Sequence, residues 1–275
     1  MNKFFAVSVL VFAFVMPSAR SAEQVAPLEN TSSHRDWHFF ANISYSSRTL
    51  DGSITETTAI ANDTFGDLVA TGDSMNLDTS DTFMYTLAAQ YKKWRMGLNY
   101  MPTSFSGQGY AIVTLTGNQA GVLAKTPLNT DIDIDLLLGK LTYDIIQTQS
   151  SRFGVGVGLG RTQIDLNIIP QVGNSIIYKG YQPFGFLSVY MANNYQRFLY
   201  GFNFNAISAS FTGVEVGYSD YTIDFGYRLS DKEIKWDLVG GYRLVNFSID
   251  IEDGQNMYKA ITHLQGPFIG VSVSY

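Results

Sequence analysis

The chain has 275 residues, with 18 basic and 24 acidic side chains and no cysteine. The lack of cysteine excludes disulfides and a lipid-modified N-terminus, and the net negative charge argues against nucleic acid as a partner.

The N-terminus has the pattern of a secretory signal peptide. Lys3 precedes a short apolar run that ends near Val15, and Pro17 and small residues follow it. The run is too short for a membrane helix that is retained, so cleavage is predicted after Ser21 or Ala22. Its removal leaves 16 basic residues against 24 acidic ones, a net charge of about −8. Export then leads to a bacterial periplasm, an outer membrane or the medium.

Ten later segments alternate between two kinds of side chain with a period of two, which indicates β-strands. Most have about 9 to 11 residues, the length that a tilted strand needs to cross a bilayer. The segments are Trp37–Tyr45, Phe83–Tyr91, Trp94–Met101, Ile132–Ile145, Phe153–Arg161, Tyr181–Met191, Phe198–Ala206, Tyr218–Leu229, Ile234–Leu244 and Gln265–Tyr275. No linker composition divides the mature chain, which favours one domain.

The connections between these segments alternate between long and short. Long loops are predicted at Ser46–Thr82 and Pro102–Asp131, and tight turns at Lys92–Lys93 and Ser230–Glu233. An up-and-down meander gives this pattern, with tight turns in the periplasm and long loops outside the cell. Within the second long loop, Ala111–Thr116 could be an additional strand, but an extension of the hairpin above the membrane is favoured.

The predicted fold is therefore all-β: a transmembrane up-and-down antiparallel β-barrel of about ten strands at residues 36–275. Barrels of eight or twelve strands are the alternatives. A periplasmic segment is predicted at residues 23–35. In hydrocarbon an unpaired sheet edge is costly, so the last strand must close on the first.

One face of the strands is rich in aromatic residues and is assigned to lipid, and the opposite face is polar and is assigned to the lumen. Trp37, Trp94 and Trp236 stand at strand ends, as an interfacial girdle requires. The inward charges number five of each sign and are predicted to neutralise one another in a plugged lumen. They are Arg95, Asp133, Asp135, Lys140, Asp144, Asp224, Arg228, Lys235, Asp237 and Arg243. Arg228 and Asp237 flank one turn and are predicted to lie close together.

Two strands do not fit a single phase. The segment Ile132–Ile145 changes its pattern near Leu137, which predicts a β-bulge there and places Asp133 and Asp135 inside. In Tyr181–Met191 two sets of apolar residues compete for the lipid face. They are Leu187, Val189 and Met191 on one side and Phe184, Phe186 and Tyr190 on the other.

The end of the chain carries the most specific signal. Ile269, Val271, Val273 and Tyr275 are spaced by two, and Tyr275 is an aromatic final residue. With this strand and the layout of the mature chain, the sequence resembles a Gram-negative outer-membrane β-barrel protein of the small monomeric class. The resemblance implies a lipopolysaccharide-containing membrane, periplasmic chaperones, and recognition of the last strand by the barrel-assembly machinery. A monomer without a cofactor is expected.

Motifs for catalysis are weak. The glycines of the segment GVGVGLG, Gly154 to Gly160, occur at every second residue, so they are expected to line a narrow part of the lumen. Of the three histidines, only His263 is placed near the outer rim, and no acid or serine follows it in a catalytic pattern. The acids of the first long loop are too dispersed for a calcium motif. We expect no enzyme and no metal site.

The predicted function is structural or surface interaction through the extracellular loops, with a lumen filled by charged side chains. A narrow passive pore for small solutes is the alternative, and an outer-membrane enzyme is the least favoured class.

Overall fold

The computed structural model describes residues 37–61, 64–116, 122–170, 176–211, 214–253 and 256–275. The predicted signal peptide, the periplasmic segment and His34 lie outside the described residues.

Eleven strands and one short helix make up the described part of the chain. Their bounds are β1 Trp37–Ala61, β2 Thr64–Thr71, α1 Gly72–Met75, β3 Ser80–Tyr91, β4 Trp94–Thr116, β5 Val122–Gln147, β6 Ser151–Pro170, β7 Ile176–Tyr195, β8 Phe198–Phe211, β9 Val214–Asp231, β10 Lys235–Asp253 and β11 Asn256–Ser274. Ten of the strands, β1 and β3 to β11, form a closed antiparallel ring. Each of these ten pairs with the next one along the chain, and β11 pairs with β1.

The ring closes where the first strand pairs with the last. The pairs run from Phe40–Ser274 to Thr57–Met257. At the extreme end, the Tyr275 N–H donates to the Phe39 carbonyl at 3.0 Å, and the Phe39 N–H donates to the Tyr275 carbonyl at 2.9 Å. The predicted closure is confirmed, and it leaves no free edge where the chain ends.

The end of the barrel with the two-residue turn at Lys92–Lys93 is called the turn end below, and the opposite end is the loop end. All ten predicted segments are strands, but most continue far beyond their predicted bounds toward the loop end. The prediction of long loops at Ser46–Thr82 and Pro102–Asp131 was wrong, because most of these residues form β1, β2, β4 and β5. Residues 111–116 extend β4, as favoured.

Strand β2 lies in the barrel wall on the loop-end side of β3. Upper parts of the wall are those nearer to the loop end, and lower parts are those nearer to the turn end. Strand β2 pairs with the upper parts of both β1 and β4, while β3 pairs with their lower parts. Helix α1 joins β2 to β3. Thr71 caps its N-terminus, and Asn76 ends it with a left-handed backbone of φ 49°. Its backbone lies against the inward face of β4, where a Cβ on Gly109 would come within 2.0 Å of the Ser74 carbonyl oxygen.

The lower barrel wall is apolar outside and polar inside. Exposed aromatic side chains encircle the barrel at the turn end, and they include Trp37, Trp94 and Trp236. Trp37 lies 5.0 Å from Tyr91, and Trp94 lies 5.0 Å from Tyr143, between ring centroids. A second set of exposed tyrosines, including Tyr45, Tyr100 and Tyr221, marks the upper limit of this band. Amphipathic rings at two levels are typical of the two interfaces of a bilayer.

Above the upper tyrosines the polarity of the wall reverses. The outward positions become polar, as at Asp81, Ser104 and Asp133, whereas the inward positions become buried and apolar. The inward residues form one cluster with members from every element except β8. It includes Leu50, Ala70, Met75, Met84, Met101, Phe105, Leu128, Ile132, Ile134, Leu136, Leu138, Leu166, Ile168, Phe184, Phe186, Val216, Tyr218, Val245, Phe247 and Leu264. The loop-end half is thus built like a water-soluble barrel.

This reversal corrects the predicted orientation of side chains in β5. Ile132, Ile134 and Leu136 are buried inward, so Asp133 and Asp135 face outward, not into the lumen. The strand keeps one phase through Leu137, and its bulge lies between Asp144 and Ile146 instead.

In β7 the ambiguous phase is settled by burial. Phe184, Phe186 and Tyr190 are buried inward, and Leu187 and Met191 are exposed on the outer face.

The hydrogen-bonded ladder between β7 and β8 covers only Leu187–Tyr195 and Phe198–Ala206. Above it, both strands continue without a mutual ladder in the described part of the chain. The ladder thus spans the apolar band, where unpaired backbone groups would be costly, and ends where water can satisfy them.

Candidate functional site in the barrel lumen

The polar lower lumen is the candidate site, and a buried ion pair lies at its centre. Arg243 donates to both carboxylate oxygens of Asp220, from Nε at 2.9 Å and from Nη2 at 2.8 Å. Asp220 also accepts from Asn205 Nδ2 and the Tyr218 hydroxyl, each at 3.1 Å. Arg243 Nη1 donates to Asn99 Oδ1 at 2.8 Å. Both charged groups therefore have several hydrogen-bond partners.

The alternation of side chains along each strand brings these partners together inside the lumen. Tyr218 and Asp220 are inward neighbours on β9, and Arg243 enters from β10, whose outward face carries Leu238 and Tyr242. Arg243 was predicted to face the lumen. Asp220 was missed, although it shares the alternation phase of the predicted inward residues Asp224 and Arg228.

A cavity of about 290 Å³ adjoins this pair. Its polar lining includes Lys140 of β5, Arg95 of β4 and Asp224 of β9, as predicted, with Asn203 and Asn205 of β8. Lys140 Nζ donates to Asn203 Oδ1 at 2.5 Å. The Arg95 guanidinium lies 5.2 Å from the Phe40 ring centroid and 5.5 Å from that of Tyr190.

A second polar network lies nearer to the turn end. Asp144 is fully buried at 0% exposure and accepts a hydrogen bond from the Tyr190 hydroxyl. Gln90 Nε2 lies 3.5 Å from Asp144 Oδ2 and also donates to the Lys92 carbonyl at 2.9 Å. Arg152 donates to Gln90 Oε1. Arg152 was not predicted, since it precedes the alternating part of β6.

At the turn end itself, Arg228 Nε donates to Asp237 Oδ1 at 2.9 Å across the β9–β10 hairpin. This is the pair that the sequence predicts. Lys235 was also assigned to the lumen, but it is exposed at the first residue of β10.

Arg48 is a lumen cation that the sequence prediction missed. Its side chain is 2% exposed and stands where the polar lumen meets the apolar cluster. Nε donates to Ser46 Oγ at 2.8 Å, and the terminal nitrogens contact the sulfur atoms of Met84 and Met101. It lay in a predicted loop, although the alternation of β1 continues through it.

The predicted balance of charges is therefore wrong. Asp133 and Asp135 leave the inward set, whereas Asp220, Arg48 and Arg152 join it. Among the described residues, the inward cations outnumber the inward carboxylates.

The glycine stripe of β6 has the predicted role. A Cβ on Gly158 would lie 2.1 Å from Phe186 Cζ, and one on Gly160 would lie 2.3 Å from Phe184 Cζ. Aromatic rings of β7 thus occupy the space that these glycines leave in the lumen.

Within the part of the chain that the structure describes, no group of three His, Asp or Glu side chains could hold a metal ion. His263 faces Asn246, with Nδ1 2.7 Å from Oδ1. In the same part, no helix is long and apolar enough to cross a membrane.

A closed barrel with aromatic, apolar residues outside and ion pairs inside has the polarity that lipid requires and water forbids. The chain is a membrane-spanning β-barrel.

Comparisons with known proteins describe what this membrane-spanning barrel is similar to. No family model and no curated protein matches its sequence. Among solved structures, it is similar to the outer membrane protein OprG of Pseudomonas aeruginosa, with 13% identity, a TM-score of 0.33, and coverage of 86% of this chain and 95% of that chain. It is also similar to Ail, the attachment invasion locus protein of Yersinia pestis, with 8% identity, a TM-score of 0.29, and coverage of 86% and 99%. A third is the Pseudomonas putida toluene transporter TodX, with 10% identity, a TM-score of 0.30, and coverage of 87% and 89%.

Proposed function

We propose that this protein is a closed, non-conducting barrel of a Gram-negative outer membrane, with a structural or surface-interaction role. Its loop-end half would stand outside the cell and meet lipopolysaccharide or other surfaces. The proposal differs from the sequence-based one in what closes the lumen, since packed apolar side chains do so rather than charges alone.

The observation that carries the proposal is the apolar cluster across the loop-end lumen. Met101 and Phe105 of β4 have 0% and 2% exposure, and Ile168 of β6 has 0% exposure. Phe184 lies 4.6 Å from Tyr218 and 5.9 Å from Phe247, between ring centroids. Side chains of β7, β9 and β10 thus pack against one another inside the lumen, and packing at interior density would leave no path for hydrated ions.

The outer surface of the loop-end half supports a role in interaction. It carries carboxylates above the upper tyrosines, among them Asp81, Asp135 and Asp165, next to a surface depression of about 380 Å³. Such a surface suits polar or cationic groups outside the membrane.

A narrow pore is the second candidate function, and the luminal cavity favours it. A cavity of about 290 Å³ lined by Lys140, Arg95 and Asp224 is polar enough to be hydrated. For conduction, the apolar cluster above it would have to open.

Planar-bilayer recording of the purified barrel tests the proposal. The wild type should be silent, and the double variant Phe105→Ala with Phe184→Ala should leak, because it removes two rings from the apolar cluster. Phe202→Ala with Phe204→Ala is the matched control, since these rings lie on the outward face of β8, and it should stay silent. A reproducible wild-type conductance in the nanosiemens range would refute the closed barrel and favour the pore.

A further inference from the structure

The luminal cavity contains cations whose charge the barrel does not neutralise. Lys140 and Arg95 both line it. Among the described residues, neither is within ion-pair distance of a carboxylate, whereas Arg243 and Arg228 each are. Lys140 bonds only to the neutral oxygen of Asn203. The Arg95 guanidinium has ring faces as its neighbours and makes no hydrogen bond to the described protein.

The nearby acids do not remove this excess. Asp144 lies in the network nearer to the turn end, where Arg152 and Asp144 both contact Gln90, so its charge is offset by that of Arg152. Asp220 is taken up by Arg243, Asn205 and Tyr218. Asp224 lines the cavity and is the single carboxylate there that Arg243 does not occupy, so it can balance one of the two cations. Arg48 adds a further buried charge behind Met84, which it contacts. A charge in a confined lumen without a counter-charge is unfavourable, so the lumen favours a bound anion.

The rest of the lining suits an oxyanion. Lys140 retains two N–H groups beyond its bond to Asn203, and Arg95 offers a planar fork of donors that matches a carboxylate or phosphate. Asn99 and Thr222 lie in the same lining, but their donors bond to Thr86 and Asp220, so Lys140 and Arg95 supply the donors for the ion. A space of about 290 Å³ admits such an ion with several waters, since one water occupies about 30 Å³.

We propose that the luminal cavity is a binding site for a small oxyanion of the carboxylate or phosphate class, held by Lys140 and Arg95. The site lies on the turn side of the apolar cluster, so it is separate from the surface role proposed above. It does not depend on whether the barrel conducts.

Equilibrium dialysis with radiolabelled inorganic phosphate tests the site, on barrel folded in detergent in the presence of the probe at constant chloride. The wild type should bind saturably. Lys140→Met should weaken the affinity roughly tenfold or more, the scale of one lost charge-assisted hydrogen bond. Lys140→Arg should keep the affinity within about threefold, because the positive charge and donors remain. Arg95→Gln should weaken binding as Lys140→Met does.

The matched control is Lys179→Met, because Lys179 stands on the outer face with 73% of its side chain exposed. Its binding should equal that of the wild type, and heat-modified gel mobility shows that each variant has folded. Absence of saturable binding by the wild type would overturn the proposal. Equal affinities of Lys140→Met and the wild type would also overturn it, as would an equal loss in Lys179→Met, which indicates binding at the surface.

Discussion

Removal of the Asp220 carboxylate should destabilise this barrel more than loss of any exposed ion pair. In Asp220→Ala, Arg243 loses two hydrogen bonds of 2.9 and 2.8 Å and remains enclosed as an unpaired charge. Asn205 and the Tyr218 hydroxyl lose an acceptor at the same time. Removal of one partner from a buried pair costs about 3–5 kcal/mol, so the free energy of unfolding should fall by that amount. A loss of this size is a large part of the stability of a typical domain, about 5–15 kcal/mol.

Urea titration in lipid vesicles, followed by tryptophan fluorescence, measures this loss. Asp165→Ala is the control, since Asp165 pairs with the exposed Lys179 at 3.5 Å, and it should cost less than about 1 kcal/mol. In Asp220→Ala with Arg243→Met, the unpaired charge is gone, so the loss should be smaller than the sum of the two single losses. An Asp220→Ala barrel as stable as the Asp165→Ala barrel would refute the assignment of a buried charge pair.

Three further predictions concern packing, topology and assembly. Gly158→Ala should lower the free energy of unfolding by about 1–3 kcal/mol, because its Cβ meets the Phe186 ring and backbone, whereas Gly139→Ala, with 3.8 Å to its nearest neighbour, should change it little; equal urea midpoints would contradict this. Protease added to intact cells should cut the barrel in the β1–β2 or β4–β5 hairpin or nowhere, and cleavage confined to the Lys92–Lys93 turn would reverse the topology. Tyr275→Asp should reduce outer-membrane levels on immunoblots more than Ser274→Asp does, because Tyr275 faces lipid and Ser274 faces inward, and equal levels would count against a role of Tyr275 in assembly.

The membrane-crossing part of the fold could be predicted because lipid imposes a strict pattern on it. Every outward position from Trp94 to Tyr100 must be apolar, and every inward one can be polar, so a period of two is plain in the sequence. The requirement for closure follows from the same physics and predicts that the last strand pairs with the first, as the hydrogen bonds between Tyr275 and Phe39 show.

The loop-end half was missed because the rule for lipid does not hold there. The prediction placed every polar strand residue inside the barrel. This is right for Lys140 and wrong for Asp133, because Asp133 lies in the part of β5 beyond the apolar band. The phase of β5, followed without a break from Leu141 back to Asp133, would have placed Asp133 outside. Arg48 contacts Met84 of β3 and Met101 of β4, and Asp220 bonds to Asn205 of β8 and Arg243 of β10. These contacts depend on the register between strands, which a single segment does not reveal.

The reversal of polarity along each long strand restricts how the barrel can change in length. Because successive side chains alternate, one residue inserted low in β4 would turn Met101 and Phe105 toward water and Ser104 into the apolar interior. The strand below the insertion would keep its faces, so the error could not be relieved by a slip of the whole strand. Two inserted residues would restore every face. Related barrels should therefore differ in wall height by even numbers of residues, and odd differences should coincide with a bulge such as the one beside Asp144.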